Sequence, residues 1–328
     1  MAVELREVPR DKWDEHLKEL PHATPFHTRD WLEGLEEVRG GRWVPLGIFR
    51  GKELVGLFPA FWVRKHGVMF FASPLSGWAT AYLGPLCPPE ILGEVLDRFL
   101  RLGREGGADY AEVLLHPDLP PDALPLRRTY ILPLEGGKEH LWKGLKRECR
   151  NRVRKALKEG VEVRRVEDPG FLDIYWRMAE DMYSGLGRLP PIPKDFIGLV
   201  WERFRPRGHL RALSAEHGGR PVAAAFFLLY RDTVYFWDGV SLRDAHKLAP
   251  NNLLHWTFIE QAVEEGFRRY DMLGANIPGV ARFKSTFGPV LVPYGFLSTP
   301  LNFRGRVGKG LRRLMPVVGK VRYLLRRG

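Results

Sequence analysis

The sequence predicts an α/β (α+β) protein built from two mixed units in tandem, each a largely antiparallel sheet flanked by helices, with a basic helical tail behind them. Three observations lead there. Period-2 runs rich in β-branched and aromatic residues alternate with segments of period 3.6. The order helices, meander, helix, strand occurs twice. A chain of 328 residues exceeds the usual size of one compact core, and 45% hydrophobic with 27% charged residues is the balance of a globular protein.

The first copy opens with a strand over 2–8 and amphipathic helices over 11–20 and 28–38, the second preceded by Thr28 as a candidate N-cap. Apolar, β-branched and aromatic runs at 43–50, 53–64 and 68–73 follow. Gly51 and Gly67 mark the turns between them, as in an antiparallel meander. Pro89 starts a strong helix that runs to about Arg104. A strand at 109–115 comes next, and a Pro-rich stretch at 117–126 ends the pattern.

The second copy begins with a long basic helix over 138–159, stopped by Gly160, and a strand at 161–166. Helices at 169–184 and 193–204 precede strands at 209–215, 221–230 and 233–240. A helix over 250–265, ended by Gly266, then feeds a strand at 270–274. These elements imply a first domain over 1–136, a second over 137–300 and a tail over 301–328.

Charge is unevenly spread. The 28 residues from Leu301 carry nine basic side chains and no acid, out of a net charge of +12, leaving about +3 for the 300 before them. Apolar residues such as Val307, Leu311, Leu314, Val318, Val321 and Leu325 recur near helical spacing among those charges. Such a segment suits an anionic membrane surface or nucleic-acid phosphates, and Pro316 kinks or splits it.

Several classes are excluded. The first thirty residues contain no unbroken apolar run of the kind a signal peptide has, and no segment approaches the roughly 18 apolar residues of a membrane span, so a cytoplasmic protein is expected, with the inner membrane face open to its tail. Cys87 and Cys149 form no framework and read as buried small hydrophobes. His22 and His27 lie close in sequence but lack an HxxEH or cysteine partner, so no metal is assigned. Neither a GxSxG elbow nor a Walker loop occurs.

One ordered set of residues carries a resemblance. Ala249-Pro250-Asn251-Asn252-Leu253-Leu254-His255-Trp256 is followed by Ile259, Ala262, Gly266, Tyr270-Asp271 and Gly274, and then by Arg282-Phe283-Lys284-Ser285-Thr286-Phe287-Gly288. Upstream, Arg150-Asn151-Arg152-Val153-Arg154-Lys155-Ala156 forms a basic helix closed by Gly160-Val161. Phe26-His27-Thr28-Arg29-Asp30-Trp31 and Tyr82-Leu83-Gly84-Pro85 are fainter echoes. Together they resemble the FemAB-like aminoacyltransferases that build peptidoglycan bridges. The resemblance implies tandem GNAT-like domains, aminoacyl-tRNA as donor and the amine of a nucleotide- or lipid-linked muropeptide as acceptor.

With that chemistry in view, Lys284 is the first candidate. Acyl transfer to an amine passes through a tetrahedral oxyanion, which a fixed ammonium stabilises. Phe283 and Phe287 would brace the lysine stem; the alternative is a lysine snorkelling over those rings. Tyr235 and Asp238, in Val234-Tyr235-Phe236-Trp237-Asp238-Gly239, could take or orient the amine proton, while Asp238 beside Gly239 also suits a strand-ending turn.

On the basic helix, Lys143, Lys146, Arg147, Arg150 and Arg154 share a broad face that could grip carrier phosphates or simply be solvated. Arg188, on a constrained loop, is a further phosphate candidate, and the resemblance adds Trp256 and Phe283 to the substrate-binding set. Coenzyme A is disfavoured as a cofactor, because the turn Asp244-Ala245-His246-Lys247-Leu248-Ala249-Pro250 lacks glycine and its proline removes one amide donor. Two alternatives stay open: an N-acyltransferase using acyl-coenzyme A, and a non-catalytic module tethering tRNA or membrane.

Overall fold

The computed structural model describes residues 2–121 and 124–307. They fall into two compact units, one comprising the chain up to Leu126, Pro191–Phe196 and the chain from Pro293, the other Arg127–Pro190 and Ile197–Val292.

The first unit begins with β1 (Val3–Glu7), α1 (Trp13–Glu19) and α2 (Arg29–Arg39), then β2 (Arg42–Arg50), β3 (Glu53–Lys65), β4 (Val68–Ser73), α3 (Leu92–Glu105) and β5 (Tyr110–Leu114). Strands β1 to β4 pair antiparallel in sequence order. The β3–β4 turn is His66-Gly67, both at positive φ (51° and 77°), the conformation whose twist suits a two-residue hairpin. Strand β5 lies parallel to β4, as an intervening helical crossover requires. The apolar stripe of α3, Leu92, Val95, Leu96 and Phe99, joins the buried core of this unit, where Phe99 stacks on both Phe58 and Phe71.

The second unit continues with β6 (Leu126–Pro133), α4 (Gly137–Gly144), α5 (Arg147–Lys158), β7 (Glu162–Val166), α6 (Phe171–Ser184), α7 (Lys194–Phe204), β8 (Leu210–His217), β9 (Arg220–Tyr230), β10 (Thr233–Ser241), α8 (Pro250–Glu264), β11 (Arg269–Asp271) and α9 (Pro278–Lys284). Its strands run in the order β7, β8, β9, β10, β11, β6. The β10–β11 pair is parallel and the others are antiparallel. The chain closes with β12 (Val290–Pro300), whose last five residues pair antiparallel with β5 and complete the sheet of the first unit.

Each unit therefore repeats one plan: a strand, two helices, a three-strand meander closed by a helix and a parallel strand, and a sixth, antiparallel strand. The sixth strands come from unexpected places. The expected boundary after residue 136 lies ten residues earlier, and the expected second domain over 137–300 gives up residues 191–196 and 293–300 to the first unit. Neither β6 nor β12 is predicted by the sequence pattern. The first follows the Pro-rich stretch, and the second contains Pro293 and Gly295 and ends at Pro300, residues that weaken a strand signal.

The predicted basic helix over 138–159 is two helices. Leu145 and Lys146 are extended (ψ 140° and 149°), and the Lys146 amide donates to the Thr286 carbonyl instead of continuing the helix. Gly144 marks the break. A side chain on Gly288, itself at φ 79°, would come within 2.7 Å of the Gly144 carbonyl oxygen, so the two backbones meet there.

Cys87 and Cys149 are buried and unpaired. The chain from Leu301 does not start as a free tail. Leu301 donates its amide to Asp109, the Asn302 side chain bonds Asp109, and Gly305 packs against the Asp109 carbonyl. The rest of the predicted amphipathic tail, 308–328, lies outside the described residues. Among the described residues no helix is long and apolar enough to cross a membrane.

Candidate active site

The second unit contains a split in its sheet. Strands β10 and β11 pair only from Thr233–Arg269 to Tyr235–Asp271. Beyond that point the chain after β11 stays with β6, since the amides of Met272 and Ala275 donate to Tyr130 and Arg128, while β10 runs on to Ser241 along β9. A bulge at Trp237, between Phe236 and Asp238, interrupts the β9–β10 register just past the split. Bulges re-aim side chains, and this one turns Asp238 to the face opposite Phe236.

On one face lies Lys284, the last residue of α9. It is 5% exposed, and its Nζ donates to the carbonyls of Leu273 and Gly274, the second at 3.0 Å, with the Phe236 ring centroid 5.4 Å away. Leu273 and Gly274 are both left-handed (φ 49° and 47°), so the ammonium caps carbonyls of a tight backbone turn at the mouth of the split. Burial lowers the Lys284 pKa to about 8, against the opposing pull of Asp271. The lysine is thus largely protonated at neutral pH.

His255, on α8, packs edge-on to Phe236 and Phe283, and its Nδ1 lies 2.7 Å from the Tyr270 hydroxyl. Burial and the nearby Lys284 charge hold the His255 pKa down to about 3, so this imidazole stays neutral. Asp271 accepts from the Thr129 hydroxyl at 2.7 Å and from the Leu273 amide at 2.8 Å, tying down the same turn.

The other face carries Asp238. It accepts a 2.6 Å hydrogen bond from the Tyr175 hydroxyl of α6, and Tyr175 packs on Phe226, the strand partner of Asp238. Burial raises the Asp238 pKa to about 6, although the Tyr175 hydroxyl and the Gly239 amide favour its charged form. Tyr183 feels both Asp238 and Arg188, and burial and the carboxylate together raise its pKa to about 12. The Arg188 amide donates to the Tyr183 carbonyl at 3.0 Å, which makes Arg188 a neighbour of Tyr183. Tyr235 is buried in β10 and its pKa is raised, first by burial and then by Asp271.

The predicted residues thus gather in three places. Lys284 and Phe283 occupy one face of the split; Asp238, with Tyr175 and Tyr183 about it, occupies the other, and Arg188 follows Tyr183 in the loop after α6. Arg150, Arg154 and Trp256 gather around Trp142 at the junction of α4, α5 and α8. Trp256 is buried edge-on against Trp142 at 4.9 Å, and the Arg154 guanidinium lies over the same Trp142 ring at 5.5 Å. Arg150 directs Nη1 at the carbonyls of Trp142, Lys143 and Leu145, closing the end of α4.

A pocket of 590 Å³ opens beside α6, lined by Ile174, Met178 and Leu242 together with Arg177, Arg220, Arg243, Asp181 and Asp244. Sequence reasoning missed Tyr175, Tyr183 and His255. For Tyr175 the available signal was a phenol on the apolar stripe of α6, whose hydroxyl needs a buried partner.

Residues 143–285 match the acetyltransferase (GNAT) domain family. Over 101 residues the chain is 32% identical to aminoacyltransferase FemA of Staphylococcus epidermidis, covering 27% of this chain and 24% of that protein. The chain therefore spans about a quarter of the length of the curated relatives it matches. In three dimensions it is similar to FemX (TM-score 0.68, 14% identity, 95% of this chain and 99% of that one). It is also similar to a tandem GNAT protein from the clavulanic acid biosynthesis pathway (TM-score 0.58, 12% identity, 92% and 99%) and to L-PGS from Bacillus licheniformis (TM-score 0.55, 14% identity, 90% and 93%). At such identities the likeness is one of fold.

Proposed function

We propose, from the premise that the chain is a FemAB-like protein of tandem GNAT construction, that it is an aminoacyltransferase. It would join an aminoacyl group, carried as an ester on tRNA, to an amine of a peptidoglycan precursor peptide. The observation that carries this reading is the buried Lys284 ammonium at the mouth of the β10–β11 split, with the Asp238 carboxylate on the opposite face.

In this mechanism donor and acceptor reach the split from its two sides. The amine nitrogen attacks the ester carbonyl; the C–N bond forms, the C–O bond to the tRNA ribose breaks, and the ribose hydroxyl leaves with a proton. Lys284 stabilises the oxyanion formed on the way. Asp238, with a pKa brought near neutrality, receives the proton of the attacking amine, and Tyr175 orients it. Tyr235 lines the point where the strands part. Arg154 and Arg188 are assigned to carrier phosphates, and Arg150, engaged by the carbonyls of α4, to holding the helix that presents Arg154.

The turn before α8 supports an ester donor over coenzyme A. Ala249 is left-handed there (φ 56°) and Pro250 occupies the first helical position, so neither a glycine turn nor a full set of helix amides faces a pyrophosphate.

The test is transfer by the full-length protein from a labelled pool of aminoacyl-tRNAs to a nucleotide-linked muropeptide, read as a mass gain of one aminoacyl residue. Lys284→Met should lower the rate by about 10²–10³-fold. Transfer from acyl-coenzyme A alone, or strong thermal stabilisation by coenzyme A and none by the muropeptide, would overturn the proposal.

A further inference from the structure

The 590 Å³ pocket beside α6 lies within the second unit and takes no part in the acyl transfer proposed above. Its volume is that of a small-molecule site, for which about 300–1,000 Å³ is usual. Ile174, Arg177, Met178 and Asp181 line it from α6 at the spacing i, i+3, i+4, i+7, which is one face of a helix. Arg220 at the start of β9 and Leu242, Arg243 and Asp244 just past the end of β10 complete it. Met178 and Leu242 are buried, at 5% and 8% exposure, so an apolar wall lies alongside the charges.

Three arginines and two aspartates leave one positive charge in excess. Arg220 and Asp244 answer each other at 3.4 Å. Among the described residues the side chains of Arg177 and Arg243 have neither a hydrogen bond nor an ion pair. Asp181 lies one helical turn beyond Arg177, and a base placed before an acid is the weaker order for an i, i+4 pair. Arg243 is nonetheless placed: a side chain on Gly185, the residue that ends α6, would run into its guanidinium. That group therefore rests against bare backbone, with its N–H donors left for a ligand.

We propose that this pocket binds a small molecule with one anionic oxygen head, carboxylate or phosphate, on an apolar body. Arg177 and Arg243 take the head, because a guanidinium fork matches two such oxygens, and Ile174, Met178 and Leu242 take the body. Asp181 and Asp244 repel further negative groups, which selects a single head over a polyanion. Tyr175, next to Ile174 on the same helix, bonds Asp238 instead, so the pocket and the transfer site share α6 but no residue.

The full chain labelled with ¹³C at its methionine methyls reports the site through Met178, identified as the signal lost in Met178→Leu. Sodium hexanoate and hexyl phosphate are titrated in about 0.15 M NaCl, where exposed charges more than about 8 Å apart are screened, with hexan-1-ol as the neutral probe. The expected result is a saturable shift of the Met178 signal with at least one anion and none with the alcohol over the same range; the tighter anion identifies the head group. Arg177→Gln and Arg243→Gln should each weaken binding by at least about tenfold, the lower end of what a charged hydrogen-bond partner contributes. Gly185→Ala, at a φ of −66° and ψ of −14° that any residue adopts, should do the same by displacing Arg243 while the melting temperature holds. Arg101→Gln, at an exposed arginine of α3, should leave binding as it is. Circular dichroism checks that each variant folds. No saturable shift with either anion, an equal shift with hexan-1-ol, or anion binding unaltered in the Arg177→Gln/Arg243→Gln double variant overturns the site.

Discussion

At the scale of single residues, a half-buried carboxylate and a buried ammonium set opposite pH limbs. Asp238 has its pKa raised to about 6 and Lys284 has its lowered to about 8. A reaction needing the carboxylate ionised and the ammonium charged should follow a bell between these values, and Asp238→Asn should remove the acid limb along with most of the rate. The stability signs differ as well. For Asp238 the folded state holds its proton more tightly than the unfolded one, so stability falls as pH rises from about 3.8 to about 6.

Asp238→Asn should therefore stabilise the fold at pH 7, by on the order of 1–3 kcal/mol. For Lys284 the unfolded state binds the proton more tightly, so stability rises between about 8 and about 10.5, a gain that Lys284→Met should abolish. Melting temperatures of wild type and both variants across pH 4–10 check each sign.

At the scale of elements, the meeting of α4, α5 and the segment after α9 rests on backbone approaches. Gly288→Ala combines a left-handed φ with a 2.7 Å approach to the Gly144 carbonyl and should destabilise by about 2 kcal/mol or more, read as a fall in urea midpoint at unchanged slope. Arg150→Ala frees the carbonyls closing α4 and should cost about 1–3 kcal/mol, lowering transfer only in step with stability. A larger loss of transfer would return Arg150 to the phosphate-binding set.

The meander strands and the helices around them were legible in the sequence, because Gly51, Gly67, Gly160 and Gly266 mark turns within clear periodic runs. The break at Gly144 was not. Its cause is an amide of Lys146 bonded to Thr286, a residue 140 positions away in sequence.

At the scale of the whole molecule, β12 completes the first sheet from the far end of the chain. Ending the protein at Val292 should leave β5 as an open edge and strip Leu297 from the first core. Hydrogen exchange should then accelerate at Tyr110–Leu114 and in β4, while β8 and β9 keep their protection. Uniform loss in both units would mean that the division into units is not a division in stability.

Taken alone, the sequence determined the mixed α/β class, the repeated element order and the unpaired burial of both cysteines. These depend on local periodicity and on neighbours a few residues apart, which a linear reading contains. Only the tertiary structure decided that β12 returns to the first sheet, that the Trp237 bulge sends Asp238 and Phe236 to opposite faces, and that Arg177 and Arg243 line one pocket. Strand pairing and loop contacts join residues tens to hundreds of positions apart, and their energies depend on which partners the folded backbone brings within reach.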